Sequence, residues 1–242
     1  MALRVILALV GGYLLGCVPT GYLLVRWRTG GDVRQENSGR VGGTNVMRSA
    51  GFAAGLLTAI GDMAKAWVAV GLAQWLLPAV PLVHVGAGLL SIVGHNYNVL
   101  LARREDGRLV FGGGAGGAAT VGAAIGLWAP AGLIIIPMAA LVLLLRGYAS
   151  VATMSVGLAA IAIFGWRGWA GMGPAAYVLF GVGAEILLLW SLRPNIRRLL
   201  AGQERVVGPR ARRLEKRLRA RQGMSDESSQ QSGSQREESA AH

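Results

Sequence analysis

The sequence predicts an all-α, polytopic membrane protein with about seven transmembrane helices. Of its 242 residues 53% are hydrophobic and only 15% are charged, and the apolar residues occur in long blocks, which is typical of membrane-spanning helices. Proline residues mark the turns between several blocks, as expected where a helix cannot continue. Arginine residues concentrate in alternate loops, which is the distribution that the positive-inside rule describes.

The predicted spans are, in chain order, 3–25, 51–77, 82–101, 113–127, 131–145, 151–164 and 175–192. The first block is about long enough to span a bilayer and has no clear cleavage site after it, so we expect a retained helix rather than a signal peptide. The fourth to sixth spans are short, and a re-entrant segment is an alternative interpretation of 113–128.

Charge distribution predicts the orientation of the chain. The loops after spans one, three and five, and the chain after span seven, carry most of the Arg residues, whereas the loops after spans two and four carry no Lys or Arg. We therefore expect the N-terminus outside, the C-terminus in the cytoplasm, and a location in the bacterial inner membrane. The net charge of +12 suits anionic lipids and anionic substrates, and without a nucleic-acid-reading motif we expect no nucleic-acid partner.

Composition divides the chain into three predicted regions. Residues 1–202 form the seven-span domain. Residues 203–222 are rich in Arg with interspersed Leu and Val, which fits either a basic surface segment on anionic lipid or a merely solvated segment. Residues 223–242 are dominated by Ser, Gln and Glu, a composition typical of disorder.

The polar loop 38–48 is the first candidate site. It combines hydroxyls, an amide, two guanidiniums and three glycines, and its candidate residues are Ser38, Gly39, Thr44, Asn45 and Arg48. Glycines let backbone N–H groups face an oxyanion, and Arg adds a planar, permanently charged fork, so this composition favours phosphate binding. A simple connector with inside-facing Arg residues explains the same loop.

Charged and polar residues also occur inside or beside later spans. Asp62 and Lys65 lie at i and i+3 of the second span, so they share a helix face and can neutralise each other, either as a structural ion pair or to orient the site. His95 ends the third span at the predicted cytoplasmic face, where an imidazole can act as a base or a phosphate donor. Glycines such as Gly113 and Gly114 suit either a phosphate at a helix N-terminus or close helix packing.

A third polar cluster follows the last span and consists of Asn195, Arg197, Arg198 and Glu204. With this cluster added, the chain resembles the bacterial acyl-phosphate-dependent glycerol-3-phosphate acyltransferases over residues 3–206. The resemblance is carried by Ser38, Gly39, Gly42, Thr44, Asn45 and Arg48, by Asp62 and Lys65, by Gly94, His95 and the glycine-rich segment, and by Asn195, Ile196, Arg197, Arg198, Leu199, Gly202 and Glu204. It implies transfer of a fatty acyl group from acyl phosphate to the 1-hydroxyl of glycerol 3-phosphate, which yields lysophosphatidic acid and phosphate.

The resemblance also implies roles for individual residues. His95, Ser38 and Arg48 are the expected catalytic residues, with His95 as a possible base and substrate phosphate as the other possible proton acceptor. The expected substrate-binding residues are Gly39, Thr44, Asn45, Gly113, Gly114, Asn195, Arg198 and Glu204, and Asp62 and Lys65 form the orienting pair. We expect a monomer that binds both substrates and membrane lipids and needs neither a cofactor nor a metal.

Several positions depart from the family pattern. Its glycine motif contains a Lys where this chain has Ala115 or Gly116, depending on alignment, and Leu192 stands where a His is expected. The segment around 103–109 looks inserted. We expect Arg40 or one of Arg103, Arg104 and Arg108 to replace the missing Lys. Two other interpretations remain open: a non-catalytic paralogue that binds an anionic lipid or glycerol phosphate, and a small transporter that uses Asp62, Lys65 and Glu185.

Overall fold

The computed structural model describes residues 1–208 and residue 211. Most of the predicted basic segment 203–222 and all of the tail 223–242 lie outside these described residues. Within them the chain forms ten α-helices and one β-hairpin. In chain order these are α1 Ala2–Gly16, α2 Thr20–Thr29, α3 Gly43–Ala50, α4 Phe52–Leu76, α5 Pro81–Asn96, β1 Asn98–Glu105, β2 Arg108–Gly112, α6 Gly117–Leu127, α7 Ala131–Arg146, α8 Ala149–Trp169, α9 Val178–Ser191 and α10 Arg193–Leu200.

Three stretches of the described chain are long and apolar enough to cross a membrane: Ala2–Thr29, which combines α1 and α2, then α4, and then α8. A fourth candidate is Ala175–Ser191 with α10, although these two parts are bent by 65°. The shorter helices α6 and α7 are also apolar. These helices agree with the predicted multi-pass, mostly helical membrane protein.

The all-α prediction overlooked the β-hairpin. The third span was expected to reach residue 101, but α5 ends at Asn96 and β1 pairs antiparallel with β2. Asp106 and Gly107 form the turn, with φ angles of 49° and 75°. Two positive φ angles match the right-handed twist of a hairpin, and an Asp-Gly pair favours this turn. The apparently inserted segment is therefore a folded element.

Two predicted boundaries also need correction. Helix α6 begins at Gly117 instead of residue 113, because residues 113–116 run as a loop against the end of α5. The segment predicted as the sixth span corresponds to α8, which has 21 residues instead of the short 151–164. At 1.5 Å per residue it is about 30 Å long, which matches the hydrocarbon thickness of a bilayer.

Small residues bring the helices of the N-terminal half close together. A Cβ atom added to Gly16 of α1 would lie 2.2 Å from the Ser91 carbonyl oxygen, and one added to Gly94 of α5 would lie 2.2 Å from the Tyr13 carbonyl oxygen. Such backbone contact is a common way to pack helices in lipid, where hydrophobic burial gives little preference for protein over lipid.

The opposite half packs around large side chains. Phe180 of α9 is fully buried and meets the ring of Phe164 of α8 edge-on, with ring centroids 6.0 Å apart. Ile92 of α5 and Ile135 of α7 complete this core.

Loops from four parts of the chain meet at one end of the helix bundle. The linking hydrogen bonds run from Arg34 Nη1 to the Leu101 oxygen (3.3 Å), from Val41 N to the Gly113 oxygen (3.1 Å), from Arg40 Nη2 to the Ser191 oxygen (2.5 Å) and from Val207 N to the Gly147 oxygen (2.7 Å). The polar segments that the sequence analysis singled out are thus assembled on one side of the molecule.

Candidate active site

The loop between α2 and α3 is held in shape by Asn45. Its side-chain nitrogen lies 3.1, 3.0 and 2.8 Å from the carbonyl oxygens of Val33, Glu36 and Arg40, and its side-chain oxygen lies 3.5 Å from Ser38 N. Asn45 is buried. The Asn45 amide thus organises the loop, and its predicted role in binding substrate stays a prediction.

A cavity of about 580 Å³ opens beside this loop. We call it the loop cavity. The predicted site residues that line it are Ser38, Thr44, Asn45, Arg48, Asp62, His95, Asn195, Arg198 and Glu204. Residues far apart in the sequence thus converge on one space, which is of the size typical of small-molecule sites. Arg205, which the sequence analysis did not consider, also lines it.

Asp62 is the centre of a buried polar cluster below the loop cavity. Its Oδ1 atom lies 2.8 Å from Lys65 Nζ and accepts a 3.1 Å hydrogen bond from Thr20 Oγ1. Lys65 Nζ also donates to the Val18 carbonyl oxygen at 2.8 Å. The Asp62 and Lys65 side chains are only 2% and 6% exposed, so each depends on the other for compensation of its charge.

The same carboxylate faces His95. His95 Nδ1 lies 3.4 Å from Asp62 Oδ1, and the ring is buried. The carboxylate thus faces one edge of the ring. At the opposite edge, a Cβ atom on Gly114 would lie 2.0 Å from His95 Nε2. A glycine at position 114 is therefore what leaves room for the ring.

The glycine loop 113–116 packs closely on the end of α5, which is one of the two roles that the sequence left open. Gly114 N donates to the His95 carbonyl oxygen at 3.0 Å, so this N–H is already paired. A Cβ on Gly113 would lie 2.0 Å from the Asn96 carbonyl oxygen. Gly39, Gly113 and Gly114 do not line the loop cavity; they line a second cavity beside the β-hairpin. Their role in holding a substrate oxyanion stays a prediction.

Glu204 fixes the third polar segment. Its Oε1 atom accepts a 2.8 Å hydrogen bond from Asn195 Nδ2, and its Oε2 atom accepts a 3.2 Å bond from Arg198 Nε. The Glu204 side chain is 6% exposed, whereas that of Arg198 is 45% exposed. Glu204 therefore positions two residues that face the cavity, and it lines the cavity itself; its contact with substrate stays a prediction.

Positive charge accumulates around the loop cavity. Burial lowers the pKa of the Arg48 guanidinium, and the charge of Arg205 lowers it further. Burial likewise lowers the pKa of Arg40, with a further contribution from Arg198. Crowded guanidiniums are stabilised by an anion, and they offer fork-shaped donors to a phosphate.

The position of the absent Lys can now be located. Ala115 and Gly116, the two residues that stand there, both line the loop cavity. Arg40 lines the cavity too, whereas Arg103 lines only the second cavity, and Arg104 and Arg108 line neither. Of the four expected substitutes, Arg40 alone has the required location.

Comparison with known proteins gives a consistent result. The sequence profile of the family described as "Glycerol-3-phosphate acyltransferase" matches residues 6–202. A "Glycerol-3-phosphate acyltransferase" of Rubrobacter xylanophilus is 40% identical over 209 residues, which cover 86% of this chain and 98% of the relative. A "Glycerol-3-phosphate acyltransferase 2" of Moorella thermoacetica is 37% identical over 211 residues, which cover 85% and 99% of the two chains.

Two solved structures resemble the fold. The crystal structure of PlsY (YgiH), an integral membrane glycerol 3-phosphate acyltransferase, in its glycerol 3-phosphate form superposes with a TM-score of 0.72 at 27% identity, covering 84% of this chain and 96% of that one. The lysophosphatidic acid form of that protein gives a TM-score of 0.70 at 26% identity, with 84% and 95% coverage.

Proposed function

The chain belongs to the glycerol-3-phosphate acyltransferase family, and from this premise we propose how its loop cavity carries out acyl transfer. The protein is a multi-pass membrane acyltransferase that acylates glycerol 3-phosphate to form lysophosphatidic acid. We propose acyl phosphate as the donor and the 1-hydroxyl of glycerol 3-phosphate as the acceptor. The observation that carries the mechanism is the convergence of Ser38, Arg48, His95, Asn195 and Arg198 on one cavity.

The two substrates both carry phosphate, and the cavity offers matching groups. Arg48 and Arg198 neutralise phosphate charge, and Arg40 and Arg205 supply the cationic charge that the missing Lys would have given. Ser38, Thr44 and Asn195 donate or accept hydrogen bonds to phosphate oxygens and glycerol hydroxyls. The buried Oδ1 atom of Asn195 has no partner among the described residues, so it is available to accept a bond from a substrate hydroxyl.

In the reaction, the glycerol hydroxyl oxygen attacks the carbonyl carbon of the acyl phosphate. A new ester bond forms, the bond from the acyl carbon to the bridging phosphate oxygen breaks, and inorganic phosphate leaves. The guanidiniums stabilise the charge that develops on the leaving phosphate, and the cavity holds both substrates in register. No covalent enzyme intermediate is required.

The hydroxyl proton must leave during the attack, and we assign it to His95 Nε2. Asp62 faces the opposite edge of the ring, and Lys65 compensates the Asp62 charge. Asp62 and Lys65 are thus positioning residues. A His95→Gln variant should lose 10²- to 10⁴-fold in kcat with little change in KM, the usual size of a general-base effect. A loss below tenfold would assign the proton to a substrate phosphate instead.

We also propose the finer topology. Seven spans cross the membrane, with the N-terminus outside and the C-terminus in the cytoplasm. Residues 1–202 form the catalytic domain, Glu204 and Arg205 of the following chain complete its loop cavity, and the rest of that chain is a basic segment and a tail. The loops after spans one, three, five and seven, which carry most of the Arg residues, make mutual hydrogen bonds at one end of the bundle. This supports a site on the cytoplasmic side of a bacterial inner membrane. We also propose that the protein acts as a monomer.

The direct test is an acyltransferase assay on the purified full-length protein in lipid. Labelled glycerol 3-phosphate is offered with palmitoyl phosphate, palmitoyl-coenzyme A or a palmitoyl carrier-protein thioester in separate reactions. We expect labelled lysophosphatidic acid only with palmitoyl phosphate. Product from a thioester alone would contradict the proposed donor, and a folded protein that forms no product with any donor would favour the non-catalytic, lipid-binding alternative.

A further inference from the structure

The second cavity lies beside the hairpin and has a volume of about 720 Å³. We call it the hairpin cavity. Its walls are β1 and β2, the glycine loop, and the junction of α9 and α10. Arg40 lines both the hairpin cavity and the loop cavity, so the two spaces lie on either side of this side chain.

Charge is one-sided in the hairpin cavity. Arg40, Arg103, Arg193 and Arg197 line it, whereas no Asp or Glu does so among the described residues. Arg193 stacks on Trp190, with the guanidinium carbon 3.3 Å from the ring centroid. Four like charges around one partly enclosed space repel one another, and a bound anion removes that cost.

Arg103 and Arg197 are the cations most available to a ligand. Arg103 pairs with Glu105 in the exposed part of the hairpin, where both side chains are more than one-third exposed, so this pair is weak and exchangeable. The Arg197 side chain has no hydrogen bond or ion pair within the described part of the chain. The Arg197 guanidinium can therefore form bidentate contacts with phosphate oxygens, and that of Arg103 can do so by exchanging Glu105 for a phosphate.

A buried amide lies at the edge of the hairpin cavity. Asn96 lines this cavity and is 6% exposed, and neither its side-chain oxygen nor its side-chain nitrogen has a hydrogen-bond partner within the described part of the chain. The amide lies against Gly116, where an added Cβ atom would be 2.9 Å from the Asn96 Oδ1 atom, and Gly116 lines the loop cavity. The amide therefore lies at the boundary of the two cavities, and the arginines are the groups that a ligand of the hairpin cavity would meet.

The apolar side chains and the volume of the hairpin cavity indicate what kind of ligand it fits. Phe111 and Trp190 line the cavity, with exposed fractions of 42% and 54%. Exposed aromatic side chains at the end of a membrane helix are typical of the lipid interface. The volume exceeds that needed for a bare phosphate and suits a headgroup with part of its glycerol backbone.

We propose that the hairpin cavity is a second, non-catalytic site for a phosphate group, and that its ligand is the headgroup of an anionic phospholipid. Basic pockets on the cytoplasmic side of membrane proteins bind such headgroups. Free inorganic phosphate has the same chemistry and is the other source that the test distinguishes. Arg40 is common to both cavities, but Arg103 and Arg197 line the hairpin cavity and not the loop cavity, so changing these two tests the second site separately from acyl transfer.

The experiment measures lipid binding to the purified full-length protein by native mass spectrometry in neutral detergent. Saturating glycerol 3-phosphate is present throughout to occupy the loop cavity. The probes are phosphatidylglycerol, phosphatidylcholine with the same acyl chains, and inorganic phosphate as a competitor. The test variant is Arg103→Gln with Arg197→Gln, and the matched control is Arg104→Gln with Arg108→Gln, which removes the same charge from hairpin residues that do not line the cavity.

We expect the test variant to bind phosphatidylglycerol at least fivefold more weakly than the control, with no such difference for phosphatidylcholine. Two results would make free phosphate the natural ligand of the same site. In the first, phosphate displaces phosphatidylglycerol only from proteins that retain Arg103 and Arg197. In the second, phosphate binds those proteins, whereas phosphatidylglycerol binds them no better than phosphatidylcholine does. Equal phosphatidylglycerol binding by both variants, without a phosphate effect, would overturn the proposal. If the double variant does not fold, the single variants Arg103→Gln and Arg197→Gln replace it in the experiment. Each is expected to bind phosphatidylglycerol two- to threefold more weakly.

Discussion

The loop cavity and the hairpin cavity share Arg40 but organise their charges differently. Around the loop cavity, carboxylates position cations and polar groups: Asp62 holds Lys65 and faces His95, and Glu204 holds Asn195 and Arg198. Around the hairpin cavity no carboxylate of the described chain lines the wall. Fixed geometry is what catalysis needs, whereas unpaired charge is sufficient to capture an anion. Positive charge alone therefore does not identify the active site. The carboxylates that hold the cations and polar groups in place do.

The largest effect should come from breaking the support under the loop cavity. Asp62→Asn leaves the Lys65 ammonium buried without a counter-charge, so we expect the free energy of unfolding to fall by about 3–5 kcal/mol. Cys17 is the only cysteine and is buried, so its reaction with a fluorogenic thiol dye during heating reports unfolding. Adding Lys65→Met to Asp62→Asn should restore part of the loss. An unchanged melting temperature in Asp62→Asn would show that the pair is dispensable.

Gly114 of the hairpin cavity lies against His95 of the loop cavity, and adding one methyl group at position 114 tests whether the position of His95 matters for catalysis. Gly114→Ala puts a Cβ atom 2.0 Å from His95 Nε2, so the ring must move. A displacement of about 1 Å in a catalytic group can cost roughly 100-fold in rate, and we expect a loss of this size in kcat for acyl transfer. Gly71→Ala on α4 is the control, because a Cβ there meets no atom within 4 Å. Equal activity in the two variants would remove His95 from the mechanism.

Carboxylates in the two regions should differ in importance. Glu204→Gln weakens the charge-assisted bonds that position Asn195 and Arg198, and we expect about a tenfold loss in kcat/KM for glycerol 3-phosphate. Glu105→Gln removes the same charge from an exposed pair beside the hairpin cavity and should change kcat/KM less than twofold. Steady-state kinetics that give both variants the same loss in kcat/KM would contradict this difference between the two carboxylates.

The smallest effect concerns the link between the first loop and the hairpin. Hydrogen bonds from Arg34 are the main reason that the pKa of the Asp32 carboxyl is lowered, and Arg34 also reaches the Leu101 carbonyl in β1. A lowered pKa stabilises the fold above the ordinary pKa of a carboxyl group, and this contribution is lost as pH falls through the lowered value.

Asp32→Asn should therefore reduce stability by about 1 kcal/mol at pH 7. The difference from the parent protein should vanish in acid, once the parent carboxyl is protonated. Cys17 labelling across a pH series measures this convergence. A difference that persists at the lowest pH would assign the effect to packing instead of charge.

Much of this architecture could be predicted because it depends on local patterns. Apolar blocks locate the membrane helices, and i, i+3 spacing puts Asp62 and Lys65 on one face. The hairpin was missed although Asp106 and Gly107 are a recognised turn signal, because the apolar residues of β1 continue directly from α5. Hydrophobicity alone does not distinguish a helix from a strand there.

The contacts that define the site could not be predicted, because they join distant parts of the chain. Nothing local in the sequence indicates that Asp62 faces His95, or that the Gly114 backbone packs on the same ring. Asn45 was expected to meet substrate, since an Asn in a glycine-rich loop suits that role; only the folded loop reveals its three carbonyl partners. Arg205 escaped notice because basic residues are expected throughout that segment.

The central claim is that acyl transfer takes place in the loop cavity and not in the hairpin cavity. The most direct measurement compares lysophosphatidic acid formation by Arg48→Ala, which alters the loop cavity, with that by Arg103→Ala, which alters the hairpin cavity. Loss of charge-assisted bonds to phosphate predicts a fall of roughly 100-fold in kcat/KM for Arg48→Ala and a change below threefold for Arg103→Ala. A large loss in Arg103→Ala with activity retained in Arg48→Ala would contradict the account.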